Sequence, residues 1–559
     1  MQCGLVDNVL RECIDRYREV VEKYNPYPYL DSEDMKYTRL DRVVDIVREN
    51  TPEIKWDREV RVAGRIMALR VHGALAFADL YDEGYRIQLF ISRDQLGQEK
   101  YNWFIENVRR GDILWARGPL FRTKRGELSV KVLGYRMLTK CLYTLQHTWI
   151  GIEDPELRLR KRYLDMVLNI EVFERMRARF NIIREIRQWM YSRGFYETDT
   201  PILQPIYGGA AAKPFTTYVN ALDEAWFLRI APELYLKRLL VAGFNKVFEI
   251  GKVFRNEDID VTHHPEFTMM EAYIAYADYH DMMELAEQLL SNLALKLAGG
   301  YTIRYPVDLE RVGTWYIERL DRDRLKEYLE YTLWSYSGRK KKITVGSSTL
   351  NEFMKNPIKW LRKRIKEPRL FMEIDLEPPY PRHRLLDLLR EHVGIDPETA
   401  SDEEIMELLR EKQIVIKGGY NRDIALVKLF EHYIEKKLVQ PTFVIDYPRG
   451  SSPLAKPHRE DPRLVERFEL FIAGLEVANG YTEQNNPYEQ YSAFREQEER
   501  RKSGDEEAQE PDYDFVEALC VGMPPAGGIG IGIDRLVMIF TGTTSIKEAI
   551  PFPMVKRGR

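Results

Sequence analysis

Apolar residues recur at steps of three and four along 171–192: Phe173, Met176, Phe180, Ile183, Ile186 and Met190. That period lines one face of a helix, and Gly194 just beyond it supplies a stop. Val9, Leu10, Ile14, Val20 and Val21 predict an earlier helix over 8–24, which the stretch Asn25-Pro26-Tyr27-Pro28 breaks. Between them the period drops to two. Residues 60–69, 75–82, 85–92, 112–122 and 128–138 read as five short strands, with turns at Asp82-Glu83-Gly84 and Arg125-Gly126. Five strands in so short a span predict a small closed barrel of the oligonucleotide-binding (OB) type. A generic barrel without a ligand is the plainer reading.

After residue 147 helices and strands follow in mixed order, and 195–201 (Phe195 to Pro201) reads as an extended segment stopped by proline. The expected organisation is an N-terminal helical extension (1–57), the barrel (58–146) and a large α+β domain (147–559). An insertion is expected at about 305–370, and Gly504–Asp514 reads as an acidic, turn-rich loop.

The chain has 559 residues, 44% hydrophobic and 31% charged, a globular balance. Its four cysteines, Cys3, Cys13, Cys141 and Cys520, form no CxxC, which argues against a zinc ribbon or a disulfide framework. No apolar run approaches the ~18 residues of a membrane span, and the charged N-terminus is no signal peptide. A soluble cytoplasmic protein is the expectation. The net charge of −4 is unevenly spread: 58–146 hold 16 Lys/Arg against 9 Asp/Glu, and 331–369 hold 11 against 2. The second block includes Arg339-Lys340-Lys341-Lys342 and the run Lys359 to Arg364. Basic patches on an acidic body suit a polyanion docking at defined places; a solvated charged face is the alternative.

Three clusters carry chemistry. Gly528 to Ile533 alternates glycine with isoleucine, so a strand there turns three bare positions to one face and three isoleucines to the other. The bare face admits a flat ligand, and Arg535 on the following helix stands at its rim. GxGxxG spacing and a P-loop are both absent. Arg255 ends a strand-like run and offers a planar fork to phosphate or carboxylate; His263 and His264 can meet a terminal phosphate, and Phe267 can stack on a base. Glu469 and Glu476 lie among Phe468, Leu470, Phe471 and Ile472. Carboxylates in apolar surroundings need a cation, and hard Mg²⁺ shared with nucleotide phosphates fits that need. Together these describe a nucleotide site of neither P-loop nor Rossmann type.

With these residues in view, the chain resembles a class II lysyl-tRNA synthetase. GFYETDTP (194–201) is similar to the first motif of that family, FRNED with HHPEFTMMEAY (254–258, 263–273) to the second, and GGIGIGIDR (527–535) to the third. GGAAAKPF (208–215), RIAPELYLKR (229–238), RFELFIAGLE (467–476) and NGYTE (479–483) match further segments. The resemblance covers about 55–300 and 370–555. It implies an N-terminal five-stranded OB-type β-barrel that binds the anticodon, a six- to seven-stranded antiparallel catalytic sheet flanked by helices, and a homodimer joined through the first motif. It implies ATP-dependent activation of L-lysine, with Mg²⁺, and transfer to the 3′ end of tRNA(Lys).

By the same resemblance Arg255 bridges the ATP α-phosphate and the lysine carboxylate, and Arg535 and Phe267 sandwich the adenine. Glu257, His263, Gly530 and Gly532 complete the ATP side, and Glu469 and Glu476 hold the metal. Glu233 and the backbone at Gly209 take the α-amino group, and Asn479 helps with the carboxylate. Tyr273 and Glu483 receive the ε-ammonium, Tyr481 packs on the aliphatic stem, and Glu271 belongs to the same pocket. In the barrel Phe77 stacks on an anticodon base, while Arg70, Gln88 and Glu127 read base edges. His264 stands where the family usually has asparagine, Lys213 replaces an arginine, and Tyr481 is an aromatic variant. Three other readings stay open: an aspartate or asparagine enzyme of the same subgroup, a catalytically silent RNA-binding paralogue, and an enzyme that lysylates a protein.

Overall fold

The computed structural model describes residues 2–29, 37–43, 59–143, 145, 152, 154–337, 343–365, 368–416, 419–504, 508 and 510–556. They form two compact units, 1–174 with 555–559, and 175–554. The basic run Arg339–Lys342 lies outside the described residues, as do 505–507 and 509 of the acidic loop.

In the first unit, strands β1 (Glu59–His72), β2 (Leu75–Asp82), β3 (Tyr85–Ser92), β4 (Ile113–Arg122), β5 (Leu128–Lys131) and β6 (Gly134–Thr139) build one sheet. Its order is β1-β2-β3-β5-β4, and a further β1–β4 pairing closes those five into a ring. Alternation drives the closure: Ala76, Ala78, Leu80, Ile87, Leu89 and Ile91 all turn inward and are buried. The fifth expected strand, 128–138, is in fact two. Ten-residue β4 pairs β5 through Leu120–Arg122 and β6 through Ile113–Arg117, so the partner chain breaks at Val132-Leu133 to serve both halves. A helix, Gln98–Asn107, fills the gap between β3 and β4; the sequence reading missed it because only Tyr101 and Phe104 are buried on it. The N-terminal helix runs from Gln2 to Val21, earlier than its apolar pattern marks.

The second unit is centred on an eight-stranded sheet. Its strands are β7 (Tyr196–Glu197), β11 (Lys246–Phe254), β12 (Glu266–Ala275), β15 (Arg382–Arg384), β16 (Thr442–Pro448), β17 (Leu464–Ile472), β18 (Leu475–Thr482) and β19 (Ala526–Gly532), in the order β15-β16-β17-β18-β19-β12-β11-β7. The six inner strands are antiparallel, but both edges are parallel, β15 on β16 and β7 on β11. The expected wholly antiparallel sheet of six or seven strands is therefore corrected to a mixed one of eight. The edge pairs span two and three residues, too few to leave a period-two signal in the sequence. Phe195 to Pro201 accordingly pairs only at Tyr196-Glu197 before proline ends it.

One face of this sheet is sealed. Ile529, Ile531, Met270, Ala272, Phe468 and Leu470 pack with Ile182, Ile186 and Met190 of the helix Ile170–Ser192, with the helix Tyr279–Ala298 and with the helix Ile533–Thr541. Three short strands, β8 (Leu203–Gln204), β9 (Phe215–Val219) and β10 (Glu224–Leu228), make a separate small sheet. The insertion is framed by an antiparallel pair, β13 (Thr302–Asp308) and β14 (Arg369–Asp375), with the helices Arg322–Tyr336, Ser347–Lys355 and Pro357–Arg362 between them. Leu325, Leu329, Phe353, Trp360 and Leu361 belong to the same apolar core as Ile529, so the insertion is packed onto the body of the eight-stranded sheet.

Candidate active site

The open face of the eight-stranded sheet carries the site, and its register shows why. Directly paired residues of adjacent strands share a face. One row across the sheet is Tyr273–Gly528–Tyr481–Arg467, and the next is Glu271–Gly530–Asn479–Glu469. Chemistry scattered over more than two hundred residues of sequence thus falls into two adjacent lines. Glu476 reaches the same face by a bulge: Leu470 pairs Ala478 but Phe471 pairs Glu476, so one extra residue on β18 flips the parity. The spacing of seven between Glu469 and Glu476 is incidental; a tight hairpin through Ala473-Gly474 brings them together.

A cleft of about 390 Å³ lies over these rows. Gly209, Glu233, Arg255, Glu257, His263, Phe267, Glu271, Tyr273, Glu469, Glu476, Asn479, Tyr481, Glu483, Gly530, Gly532 and Arg535 all line it. The bare strand divides in use. A Cβ on Gly528 would collide with Glu483 Oε1 and with the Tyr273 ring, so that position is the floor of an acid pocket. A Cβ on Gly530 or Gly532 would meet nothing closer than 3.5 or 3.7 Å, which leaves open backbone for a flat ligand.

The acid pocket gathers Glu233, Glu271 and Glu483, each 5% exposed or less. Tyr481 donates its hydroxyl to Glu233, and Tyr273 donates to Glu271 at 2.9 Å. Burial, aided by the Glu233 charge, pushes the Glu271 carboxyl up to about 8. Glu483 Oε1 has no hydrogen-bond partner among the described residues. Such a group costs stability unless a donor arrives. Lys237, on the helix Glu233–Val241 and wholly buried, was missed by the sequence reading: it lies 2.6 Å from Glu233 and is ion-paired with Glu483.

At the other end Arg255 stacks over the Phe267 ring, 5.2 Å from its centroid, and its Nε has no hydrogen-bond partner among the described residues. Burial lowers the Arg255 guanidinium, against the pull of Glu257 and Glu476. A half-desolvated fork of this kind favours an anion. Arg535 donates to the Glu476 carbonyl at 2.6 Å and to its carboxylate at 3.2 Å, and lies 3.4 Å from His263. His263 and His264 both line the cleft, but both ring nitrogens of His264 are already engaged. It is buried, with Nδ1 against the Glu266 carbonyl and Nε2 accepting the Met554 N–H at 2.9 Å, so it ties the C-terminal segment to the loop.

Glu469 accepts from Tyr447 at 2.8 Å and pairs with Arg467, another residue the sequence reading passed over. Arg467 also donates to Asn479 at 3.2 Å and Ser452 at 2.7 Å, so it sets the geometry of the row. Burial raises the Glu469 carboxyl to about 7; Arg467 opposes this and Glu476 adds to it. Among the described residues no three His, Cys, Asp or Glu side chains are grouped to hold a metal by themselves. The donor set nonetheless fits a hard divalent cation: two neighbouring carboxylates, one of them dry and under-neutralised, with a ligand cleft beside them to complete the shell.

In the barrel, Phe77, Phe90 and Phe121 form an aromatic row on the outer face, with ring centroids 5.4 and 5.5 Å apart. Beside it runs a charged row: Arg70 grips Asp79 with two hydrogen bonds of 2.8 and 3.0 Å, and Arg86 joins Asp79 to Glu127. Gln88 accepts from Ser129 at 3.1 Å. Stacking rings beside hydrogen-bonding edges make a surface for unpaired bases.

Comparison with known proteins agrees with this geometry. The sequence model of the class II tRNA synthetases (D, K and N) matches residues 154–556, and that of the OB-fold nucleic acid binding domain matches 60–138. The chain belongs to the class II tRNA synthetases of that subgroup, with an OB-fold domain at its N-terminal side. It is 45% identical to the lysine–tRNA ligase of Saccharolobus solfataricus over 89% of this chain and 87% of that one. It is 42% identical to the lysine–tRNA ligase of Methanoculleus marisnigri (97% and 94% covered) and 41% to that of Thermotoga maritima (95% and 92%).

The raised Glu271 carboxyl gives a pH test. Its folded value, about 8, lies above the ordinary 4.5, so folding binds a proton; the associated stability is full below pH 4.5 and lost as pH rises to 8. Glu271→Gln, permanently neutral, should match the wild-type Tm below pH 4.5 and exceed it at pH 8.5. Equal Tm values at both pH values would contradict the assigned burial of charge.

Proposed function

We propose that the chain is a lysine–tRNA ligase: it joins L-lysine to AMP from ATP, releasing pyrophosphate, and passes the lysyl group to the 3′ end of tRNA(Lys). The observation that carries this is the acid pocket at one end of the cleft, with Glu483 Oε1 buried and lacking a donor. An amine at the tip of a long side chain supplies that donor. Aspartate or asparagine would meet carboxylates there. A silent paralogue would have no reason to keep Arg255, Arg535, Glu469 and Glu476 in one cleft. The OB domain argues against an enzyme that lysylates proteins.

The lysine carboxylate is an anion at neutral pH and needs no base; it needs placement in line with the α-phosphate and neutralisation of the charge that builds there. Arg255 takes that role. Glu233, near Gly209, receives the α-amino group, Asn479 helps with the carboxylate, and Glu483 with Tyr273 receives the ε-ammonium, the stem lying against Tyr481. Arg535 and Phe267 hold the adenine over Gly530 and Gly532, with Glu257 and His263 at the remaining edges. Mg²⁺ on Glu469 and Glu476 would supply charge neutralisation at the phosphates. The barrel residues Arg70, Phe77, Gln88 and Glu127 bind the anticodon loop.

Phe180, Tyr191, Tyr196, Ile202, Leu203 and Phe244 are each more than 40% exposed around the first motif. That apolar surface supports a homodimer, which sedimentation equilibrium would report as twice the 66.0 kDa chain mass. No helix among the described residues is long and apolar enough to cross a membrane; tRNA, ATP and lysine as substrates support a cytoplasmic enzyme.

ATP–pyrophosphate exchange measured with each of the twenty amino acids should respond to lysine alone. Glu483→Gln should cut kcat/KM for lysine by roughly 30–150-fold, the ~2–3 kcal/mol cost of a lost charged hydrogen bond. Arg255→Ala should abolish exchange; near-normal exchange there removes it from the mechanism.

In the insertion Lys355, Lys359, Lys363 and Arg364 are exposed, and no ion pair to them occurs among the described residues. The segment that carries them is braced within the insertion by the ion pair Arg362–Glu310. They supply a second basic surface for RNA in addition to the barrel. Converting all four to glutamine should flatten the salt dependence of tRNA binding by ~0.7–0.9 for each phosphate no longer neutralised. An unchanged slope would exclude the insertion from RNA binding.

A further inference from the structure

Lys237 is the largest charge in the acid pocket that the mechanism does not use. It sits one turn along its helix from Glu233, with no exposure to solvent. Its ammonium is 2.6 Å from Glu233 Oε1 and is ion-paired with Glu483 Oε2. The remaining neighbours are apolar or aromatic: Nζ lies 5.3 Å from the Tyr481 ring centroid and 5.8 Å from that of Phe515. The facing ionisable groups are therefore Glu233 on its own helix, Tyr481 and Glu483 at the end of β18, and Glu271 and Tyr273 on β12. Arg238, next in sequence, points elsewhere, to Asp512 and Asp514.

We propose that Lys237 is a positioning residue for amino-acid recognition: a built-in counterion that favours the charged form of Glu483 and holds Glu483 and Glu233 aimed before the substrate arrives. Three buried carboxylates with no cation cannot all stay ionised, because like charges in a dry site raise one another's proton affinity. Lys237 neutralises one charge. Burial holds Glu271 largely protonated at neutral pH, so one net negative charge remains in the pocket for the ligand's amine. Its geometry makes it a fixed part of the wall. It pairs with Glu483 Oε2 and leaves Oε1, over Gly528, for the ligand. Consistent with this role, burial lowers the Lys237 ammonium, but the two carboxylates outweigh it and hold it above its ordinary value. An ammonium this firmly held stays on the wall while the substrate comes and goes.

The inference rests on the proposed lysine specificity, and its test separates the two. Lysine-dependent pyrophosphate exchange in the wild type comes first; if lysine does not support it, the functional reading fails, whatever Lys237 does. Given that exchange, Lys237→Met should raise the KM for lysine by about tenfold or more at pH 7, with the KM for ATP unchanged. The sign of its pH dependence follows. Without the ammonium the pocket takes up a proton at Glu483, which lysine must displace. Raising the pH from 7 to 9 opposes that uptake, so the KM for lysine should fall toward the wild-type value as the pH rises. A lysine KM within twofold of wild type overturns the proposal. So does a raised KM that is the same at pH 7 and pH 9, since lost packing alone would give that. Lys237→Gln, which keeps two N–H donors and fills the space without the charge, should behave like Lys237→Met, and it carries the test if the methionine variant fails to fold. A wild-type-like Lys237→Gln also overturns the proposal, because hydrogen bonding without charge would then suffice.

Discussion

One strand carries the whole site. β19 lies between β18 and β12 in the middle of the sheet, and its two faces do opposite work. Ile529 and Ile531 lock it into the core, so its position is fixed by apolar packing. Its other face has no side chains, so the backbone itself becomes the floor of a cleft. The side chains that line the cleft are placed relative to that floor: Tyr273 and Tyr481 flank Gly528, and Glu271 and Asn479 flank Gly530. A sheet that must be rigid and yet admit a flat ligand at its centre has few other solutions, because any Cβ there would occupy the ligand's place.

Charge does the rest, and it is segregated along the strand. One end of the cleft is cationic, with Arg255 and Arg535, which suits phosphates and a carboxylate. The other end is anionic, with three buried glutamates. Buried charges of one sign are costly, and each end is partly neutralised from within the fold: Glu476 meets Arg535, Arg467 meets Glu469, and Lys237 meets Glu233 and Glu483. The neutralisation is incomplete at defined atoms, Arg255 Nε and Glu483 Oε1. In the proposed function, those atoms are where the substrate's own charges complete the site.

Much of this was legible in the sequence because it lies in strong local patterns. The Gly–Ile alternation is a strand with two unlike faces, which the structure forms through Gly532, with Ile533 opening the following helix. The long helix 170–192 and the strand 246–254 follow their apolar periods. Two kinds of feature were not legible. Pairings of two or three residues, as in β7 and β15, are too short to leave a pattern, so the parallel edges were missed. Groups whose role depends on distant partners were missed too. Lys237 and Arg467 look like ordinary helix and strand cations, and His264 like a phosphate ligand, until the fold sets them beside Glu483, Glu469 and the Met554 N–H. A basic residue between two carboxylate-bearing segments, on a helix turned inward, was the one available clue to Lys237.

The central claim is that bare backbone at Gly530 and Gly532 receives the nucleotide while Glu483 Oε1 receives the amine. A crystal structure with L-lysine and a non-hydrolysable ATP analogue tests it most directly. The account predicts adenine lying over Gly530–Gly532 beneath Arg535, with the ligand's terminal nitrogen hydrogen-bonded to Glu483 and Lys237 unmoved. Side chains of the protein covering those two glycines, or a ligand amine directed away from Glu483, would contradict it.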